Sequence, residues 1–230
     1  TLPHVKITGM DCHIGSQLTE LQPFLDATDR LIRLMEQLKE DGITLKHLDL
    51  GGGLGVTYTD ETPPHPSDYA TALLNKLKDY EDLEIILEPG RAIAANAGML
   101  VAKVQYLKSN ESRNFAITDT GMNDMIRPAL YEAYMNIIEI DRTLGREKAI
   151  YDVVGPVCET SDFLGKQREL AIAEGDYIAQ RSAGAYGASM SSNYNSRPRT
   201  AEVLVDGDKA HLIRRRGNLS ELWALESIAK

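Results

Sequence analysis

The sequence has few of the features that mark secreted or membrane-spanning proteins. It contains only two cysteines, Cys12 and Cys158, which is too few for the disulfide framework of a small secreted domain. No apolar run is long enough to cross a bilayer, and the first residues show no signal-peptide pattern. These absences favour a reduced, cytoplasmic setting with no membrane partner.

Positive charge is outnumbered by negative charge, with 25 lysines and arginines against 34 aspartates and glutamates. The formal net charge is −9 at pH 7, and residues 214–216 form a lone run of three arginines. Such a surface repels a phosphate backbone, so no nucleic-acid partner is expected. The histidines show no Cys/His spacing typical of a zinc site, and no metal is expected either.

Strand and helix patterns alternate along the first half of the chain. Three short apolar strands are predicted with two amphipathic helices between them, over residues 5–10, 21–38, 47–50, 67–80 and 84–87, and Ser67 is expected to cap the second helix. This order predicts parallel β-α-β units, in which ligands bind at the carboxyl ends of the strands. Polar residues follow all three predicted strands, so we expect these residues to converge.

The pattern changes after about residue 107. Short strands separated by Gly, Asp and Asn turns are predicted there, and they are expected to pair in antiparallel fashion: residues 114–118, 149–154, 176–181 and 202–205. We therefore expect two domains, an α/β domain over residues 1–107 and a β-rich domain over residues 108–230.

Four of the polar loops contain residues suited to chemistry. The run of glycines at 51–53 is not a dinucleotide fingerprint, because the third glycine of that motif would fall on Val56; it is either a phosphate-binding loop or a tight turn. Glu88 either binds a ligand beside Arg91 or pairs with it. His13 is either catalytic or structural. Cys158 lies beside two carboxylates, which suits a proton donor better than a thiolate nucleophile.

Together these loops resemble a known family. The ordered motifs are His13-Ile14-Gly15-Ser16, Gly51-Gly52-Gly53, Glu88-Pro89-Gly90-Arg91, Gly155-Pro156-Val157-Cys158-Glu159 and Gly184-Ala185-Tyr186. They resemble the motif set of the fold-type III decarboxylases that use pyridoxal 5′-phosphate (PLP), over essentially the whole chain. The resemblance implies the C-terminal portion of a (β/α)8 PLP-binding barrel over residues 1–107 and a mainly antiparallel β-domain over residues 108–230.

The resemblance also implies roles for individual residues. His13 and Cys158 would be catalytic: His13 stacks on the PLP ring, and Cys158 returns a proton to Cα in the neighbouring subunit's site, which implies a homodimer with shared active sites. Glu88 would keep the pyridine nitrogen protonated. The remaining expected cofactor contacts lie at or near the phosphate: Ser16, Gly52, Gly53, Pro89, Gly90, Arg91 and Tyr186.

Within the family, the segment over residues 122–131 and Glu159 resemble the subclass that decarboxylates meso-2,6-diaminopimelate to L-lysine. The expected contacts with this amino-acid substrate are Arg91, Arg127, Tyr131, Glu159 and Tyr186. Arg127 and Tyr131 suit the distal carboxylate, and Glu159 suits the distal ammonium. The alternatives are another basic amino-acid or carboxynorspermidine decarboxylase of the same fold, or a non-catalytic homologue with a regulatory role.

One departure from the family is the Schiff-base lysine, which lies in a motif upstream of every motif that matches. The lysines present, such as Lys6, Lys46 and Lys103, lie outside the matching motifs. We therefore expect the chain to be part of a longer protein and to be inactive by itself.

Overall fold

The computed structural model describes residues 3–229 and divides into two compact units, residues 1–96 and 97–230. The domain boundary expected near residue 107 lies inside the strand Leu100–Ser109, which belongs to the second unit. Among the described residues, no helix combines the length and the apolar character needed to cross a membrane.

The first unit is built on three parallel strands with helices between them. Its elements are β1 (Gly9–Asp11), α1 (Gln22–Glu40), β2 (His47–Asp49), α2 (Pro66–Lys76), β3 (Glu84–Ile86) and α3 (Arg91–Ala94). The strands lie in the order β1-β2-β3, with Met10 opposite Leu48 and Leu48 opposite Ile85. The predicted parallel β-α-β order is therefore confirmed, and all three strands end at one edge of the sheet.

The core of this unit lies between the sheet and the two long helices. Leu48, at the centre of β2, is fully buried. Phe24 on α1 contacts Tyr69 on α2 edge to face, with 4.8 Å between ring centroids. Thr28 also faces this core, and its hydroxyl donates to the Phe24 carbonyl at 2.8 Å, so the buried polar group is satisfied.

The start of α2 differs from the prediction. Ser67 was expected to be the N-cap, but the helix begins at Pro66 and the N-cap is His65, whose Nδ1 accepts a hydrogen bond from the Ser67 N–H at 3.3 Å. Proline is favoured at the first helical position because it has no N–H to satisfy there. Pro66 therefore sets the start of the helix, and the N-cap lies two residues before the predicted one.

The second unit is a six-stranded sheet followed by a separate hairpin. Its elements are β4 (Leu100–Ser109), β5 (Asn114–Thr118), α4 (Arg127–Tyr131), β6 (Ile137–Glu139), β7 (Ala149–Val154), β8 (Phe163–Leu170), β9 (Tyr177–Gln180), β10 (Glu202–Asp206) and β11 (Lys209–Arg214). Its short 3-10 helices cover Ala188–Met190, Tyr194–Ser196 and Leu219–Leu222, and another, Ala95–Ala97, spans the boundary between residues 96 and 97. The sheet order is β6-β9-β4-β5-β7-β8, and β10 pairs with β11.

One strand pair departs from the expected antiparallel pattern. β5 and β7 are parallel, with Ala116 opposite Val153, whereas the other pairs of this sheet are antiparallel. Because parallel neighbours need a crossover connection, the chain between them runs over residues 119–148. This crossover carries α4, and with it Arg127 and Tyr131.

Candidate functional site

The loop after β1 is fixed against the glycine run after β2. The Nδ1 atom of His13 accepts a hydrogen bond from the Gly52 N–H at 3.2 Å, which sets the orientation of the ring. Gly51 has φ +68°, and a Cβ there would lie 2.7 Å from the Cys12 carbonyl oxygen. Glycine at this position therefore allows the two loops to approach each other closely.

The glycine run also packs against the end of β3. A Cβ on Gly52 would lie 2.3 Å from the carbonyl oxygen of Glu88, and one on Gly53 would lie 2.3 Å from that of Gly15. The Glu88 N–H donates to the Gly51 carbonyl at 2.8 Å. Backbone contacts thus bring the three strand ends together, as the alternating pattern predicts.

Arg91 links the same three loops through its side chain. Its Nε and one terminal nitrogen lie 3.3 and 3.1 Å from the Ser16 Oγ, and the other terminal nitrogen donates to the Tyr58 hydroxyl. Gly90 directly precedes α3, so the guanidinium extends from the first residue of that short helix. Tyr58, in the loop after the glycine run, was not among the predicted site residues.

Three carboxylates lie at this edge of the sheet. One oxygen from each of Asp11, Asp49 and Glu88 falls within 4.8 Å of the others. Asp49 accepts the Gly51 N–H at 2.9 Å, so it also shapes the glycine run. The combined negative charge favours a cation in front of Glu88, and the nearby Arg91 and Ser16 offer donors for an anion. A ligand with a phosphate and a protonated ring nitrogen matches this arrangement.

In the second unit, the loop with Cys158 is held by a buried carboxylate. Asp162 accepts the Val157 N–H at 2.5 Å and the Met122 N–H at 2.7 Å, with one oxygen for each. A Cβ on Gly155 would lie 2.6 Å from those oxygens. Burial raises the pKa of Asp162, although the two N–H donors act in the opposite direction.

Cys158 and Glu159 are both exposed at the tip of that loop. The Tyr194 hydroxyl donates to a Glu159 carboxylate oxygen at 3.2 Å, and this hydrogen bond raises the pKa of Tyr194. Tyr194 therefore orients the carboxylate that was predicted to bind an ammonium group. An exposed thiol and an oriented carboxylate at a loop tip are accessible to a ligand.

Arg127 and Tyr131 lie at the two ends of α4 and differ in exposure. Arg127 is buried, with one terminal nitrogen 3.2 Å from the Met135 sulfur, whereas Tyr131 is exposed. The segment before α4 is held by Arg197, whose Nε donates to the Asn123 side-chain oxygen at 3.0 Å. The predicted substrate segment is thus held near its start by Arg197 and at Arg127 by the contact with Met135.

Tyr186 adopts an unusual backbone conformation. Its φ is +59°, in the left-handed region that residues other than glycine rarely adopt. Its side chain is 37% exposed. Backbone strain of this kind is concentrated at functional sites, where the surrounding structure maintains it. Among the described residues, six others that are not glycine also have positive φ, so the role of Tyr186 in the site stays a prediction.

The predicted site residues form two groups, one in each unit. The first unit brings together His13, Ser16, Gly52, Gly53, Glu88, Pro89, Gly90 and Arg91 at one sheet edge. In the second unit Asp162 ties the loop of Cys158 and Glu159 to the segment that leads into α4. Tyr58 and Asp162 are additions that the motifs did not identify.

Known proteins match the chain over nearly its full length. Residues 1–95 match the family described as pyridoxal-dependent decarboxylase, pyridoxal binding domain. Over 227 residues the chain is 91% identical to a diaminopimelate decarboxylase of Haemophilus influenzae, covering 99% of this chain and 55% of that protein. Over 228 residues it is 63% identical to a diaminopimelate decarboxylase of Vibrio cholerae, covering 99% and 54%.

A solved structure gives the same picture. The chain is similar to a diaminopimelate decarboxylase from M. jannaschii in co-complex with L-lysine, with a TM-score of 0.91 and 41% identity, covering 96% of this chain and 52% of that one. The chain thus spans about half the length of these relatives. The predicted fold class, the C-terminal portion of a PLP-binding barrel followed by a mainly antiparallel β-domain, is confirmed.

Proposed function

Because this chain belongs to the family of pyridoxal-dependent decarboxylases, we propose that the protein decarboxylates meso-2,6-diaminopimelate to L-lysine. The observation that carries this proposal is the meeting of Glu88, Arg91 and Ser16 beside the glycine run. This set of side chains offers a carboxylate to a ring nitrogen and donors to a phosphate. The relatives that bear the name of this enzyme support the same substrate.

The residues of the first unit fit PLP. Ser16, the glycine run, Gly90 and Arg91 would hold the phosphate, and His13 would stack on the ring. Glu88 would pair with the pyridine nitrogen, supported by the negative charge of its two carboxylate neighbours. PLP, when bound, takes up the electron pair that remains when CO2 departs. The residues of the protein would orient PLP and provide the negative charge that keeps its ring nitrogen protonated.

The second unit would supply the contacts that select the substrate. Meso-diaminopimelate carries a second carboxylate and a second ammonium at its distal centre. Arg127 and Tyr131 would bind the distal carboxylate, and Glu159, oriented by Tyr194, the distal ammonium. We assign Tyr186, and Arg91 in addition to its phosphate role, to the substrate as well.

Cys158 would return the proton to Cα. Its thiol is exposed on a loop fixed by Asp162, which suits delivery to the active site of a second subunit. We therefore include a homodimer with shared active sites in the proposal. We place the reaction in the cytoplasm, where a free, exposed thiol stays reduced.

Comparing substrates on the full-length protein tests this function. Purified protein with PLP is given meso-diaminopimelate, L-ornithine or L-arginine, and CO2 release and the amine product are measured. We expect turnover of diaminopimelate, with L-lysine as product, to exceed that of the other two. Preferred turnover of ornithine or arginine would assign the protein to a sister enzyme, and PLP binding without turnover of any of the three would indicate a regulatory homologue.

A further inference from the structure

Tyr58 and Ser16 hold the guanidinium of Arg91 from two different loops. Ser16 Oγ accepts from Nε and from one terminal nitrogen at 3.3 and 3.1 Å, and the Tyr58 hydroxyl accepts from the other terminal nitrogen. The guanidinium carbon lies 5.6 Å from the centre of the Tyr58 ring. Because the guanidinium is planar, acceptors on both of its sides fix the orientation of the plane and of its N–H groups.

The position of Tyr58 is itself set by a closed turn. The side chain of Gln17 exchanges two hydrogen bonds with the backbone of Val56, at 2.6 and 3.1 Å. Two residues after Val56, the Glu61 carboxylate accepts the Tyr58 and Thr59 N–H groups at 2.9 and 2.7 Å. The backbone hydrogen bond from Thr59 is the main cause that lowers the pKa of Glu61 to about 2, so this carboxylate stays charged near neutral pH.

Tyr58 is also buried, with 8% of its surface exposed. A buried hydroxyl on a rigid turn keeps its position at little cost in side-chain entropy when a ligand binds. Its partner Arg91 is half-buried and directly follows Gly90, at the first position of α3. The phenol is therefore a fixed support for a cation that faces the three strand ends.

We infer that Tyr58 is a positioning residue that orients Arg91 toward the oxyanion of its ligand. This inference rests on the proposed function, and the oxyanion is either the phosphate of PLP or a carboxylate of the amino-acid substrate. Replacing Tyr58 by phenylalanine keeps the ring and removes the acceptor. The guanidinium then loses the acceptor that Tyr58 provides, and its bidentate contact with an oxyanion weakens.

The test uses the full-length protein with Tyr58→Phe. The dissociation constants of PLP and of pyridoxal, which lacks the phosphate, are measured by absorbance without substrate, and KM and kcat for diaminopimelate are measured at saturating PLP. We expect about a tenfold loss in PLP affinity or about a tenfold rise in KM, as for removal of a hydrogen bond to a charged group, with pyridoxal affinity unchanged.

The matched control is Tyr80→Phe. The Tyr80 hydroxyl donates to Glu36 at 2.9 Å between α1 and the loop that follows α2, so this variant also loses a hydroxyl bound to a charged side chain. We expect wild-type values for all four constants in the control, and equal melting temperatures for both variants.

The outcomes separate the two claims. A weaker PLP complex assigns the phosphate to Arg91, and a raised KM with intact PLP binding assigns the substrate carboxylate; either result supports the inference. Unchanged PLP affinity and KM in Tyr58→Phe, or an equal loss for PLP and pyridoxal with KM unchanged, overturns it. The proposed function fails separately, when the wild-type protein releases no CO2 from diaminopimelate.

Discussion

The Oδ1 atom of Asp162 accepts the backbone N–H of Met122, forty residues earlier, at 2.7 Å. Its other oxygen accepts the N–H of Val157 at 2.5 Å. A single buried carboxylate thus joins the crossover that carries Arg127 to the loop that carries Cys158. The relative placement of this loop and the segment before α4 therefore depends on Asp162, and the burial of this carboxylate makes its effect on stability measurable.

We expect Asp162→Asn to reduce the dependence of stability on pH. Burial raises the pKa of Asp162, so the folded protein binds this proton more tightly than the unfolded chain does. Its contribution to the free energy of unfolding is full below the ordinary Asp pKa of about 4 and is lost as pH rises through the raised pKa. In urea unfolding of the full-length protein from pH 4 upward, the free energy of unfolding should decline less with pH for the variant than for the wild type.

The control for this prediction is Asp141→Asn. Hydrogen bonds from Thr143 lower the pKa of this exposed carboxyl, so its contribution has the opposite sign and increases with pH. That increase is complete near the ordinary Asp pKa of about 4, so replacing Asp141 should leave the decline above this pH nearly unchanged. Asparagine at position 162 accepts only one of the two N–H groups, so it lowers stability at every pH. The quantity to compare is therefore the slope of the free energy of unfolding against pH. Equal slopes for wild type and Asp162→Asn would contradict the prediction.

Arg127→Ala should mainly weaken substrate binding in the full-length enzyme. A charge-assisted hydrogen bond contributes about 1.5–3 kcal/mol, so KM for diaminopimelate should rise roughly ten- to a hundred-fold. Steady-state kinetics at saturating PLP measures this effect.

Arg127 is buried beside Met135, so the variant also loses packing and its melting temperature should fall. The control is Arg142→Ala, an exposed arginine of the same unit. A lower melting temperature with unchanged KM would remove Arg127 from the distal site and leave it a structural residue.

Cys158→Ala should lower kcat and leave PLP bound. General acid catalysis contributes about a hundred- to ten-thousand-fold, and the loss should fall in that range. Cys12→Ala is the matched control. Cys12 is half-buried after β1, and its hydrogen bond to the Asp49 carbonyl is made by the backbone N–H, so the substitution removes a thiol but keeps this contact. Equal kcat values for the two variants would argue against a proton donor at position 158.

Mixing two inactive full-length variants tests whether sites are shared between subunits. Cys158→Ala is combined with a variant that lacks the cofactor-binding lysine. Under random exchange half of the dimers are mixed, and each has one site with an intact lysine and an intact cysteine. Activity should therefore return to about a quarter of wild type. No recovery, with exchange demonstrated by mass spectrometry, would place Cys158 in its own subunit's site.

Residues 1–230 expressed alone should release little or no CO2 from diaminopimelate. None of the matching motifs contains a lysine, and without a lysine at the site the cofactor has no covalent anchor. A radiometric CO2 assay with the full-length protein as positive control measures this. Turnover by the piece alone at a rate near that of the full-length protein would contradict the expectation.

The positions of site residues could be predicted where the adjacent residues in the sequence form a recognisable pattern. His13, Glu88 and Arg91 follow short apolar strands and are accompanied by glycine, so their place at strand ends can be read locally. The start of α2 is also encoded locally, since Pro66 is a strong signal for the first helical position, but the prediction of Ser67 as N-cap overlooked this signal.

Features that depend on contacts between residues far apart in the sequence could not be predicted. The contact between Tyr58 and Arg91 joins residues 33 positions apart, and no local pattern encodes it. Asp162 resembles any carboxylate in a polar loop until the fold buries it. The parallel pairing of β5 and β7 was missed for the same reason, since a strand's own residues do not specify the direction of its neighbour.

That parallel pair has an evolutionary consequence. Residues 119–148 connect β5 to β7, so the register of one strand pair fixes both ends of this crossover, and its later part contributes the strand β6 to the same sheet. Insertions, deletions or exchanges in the part before β6 can alter Arg127 and its surroundings without shifting that register. Under the proposed function, new substrate preferences can therefore arise by diversification of the segment before β6 while the pairing of β5 with β7 is inherited unchanged.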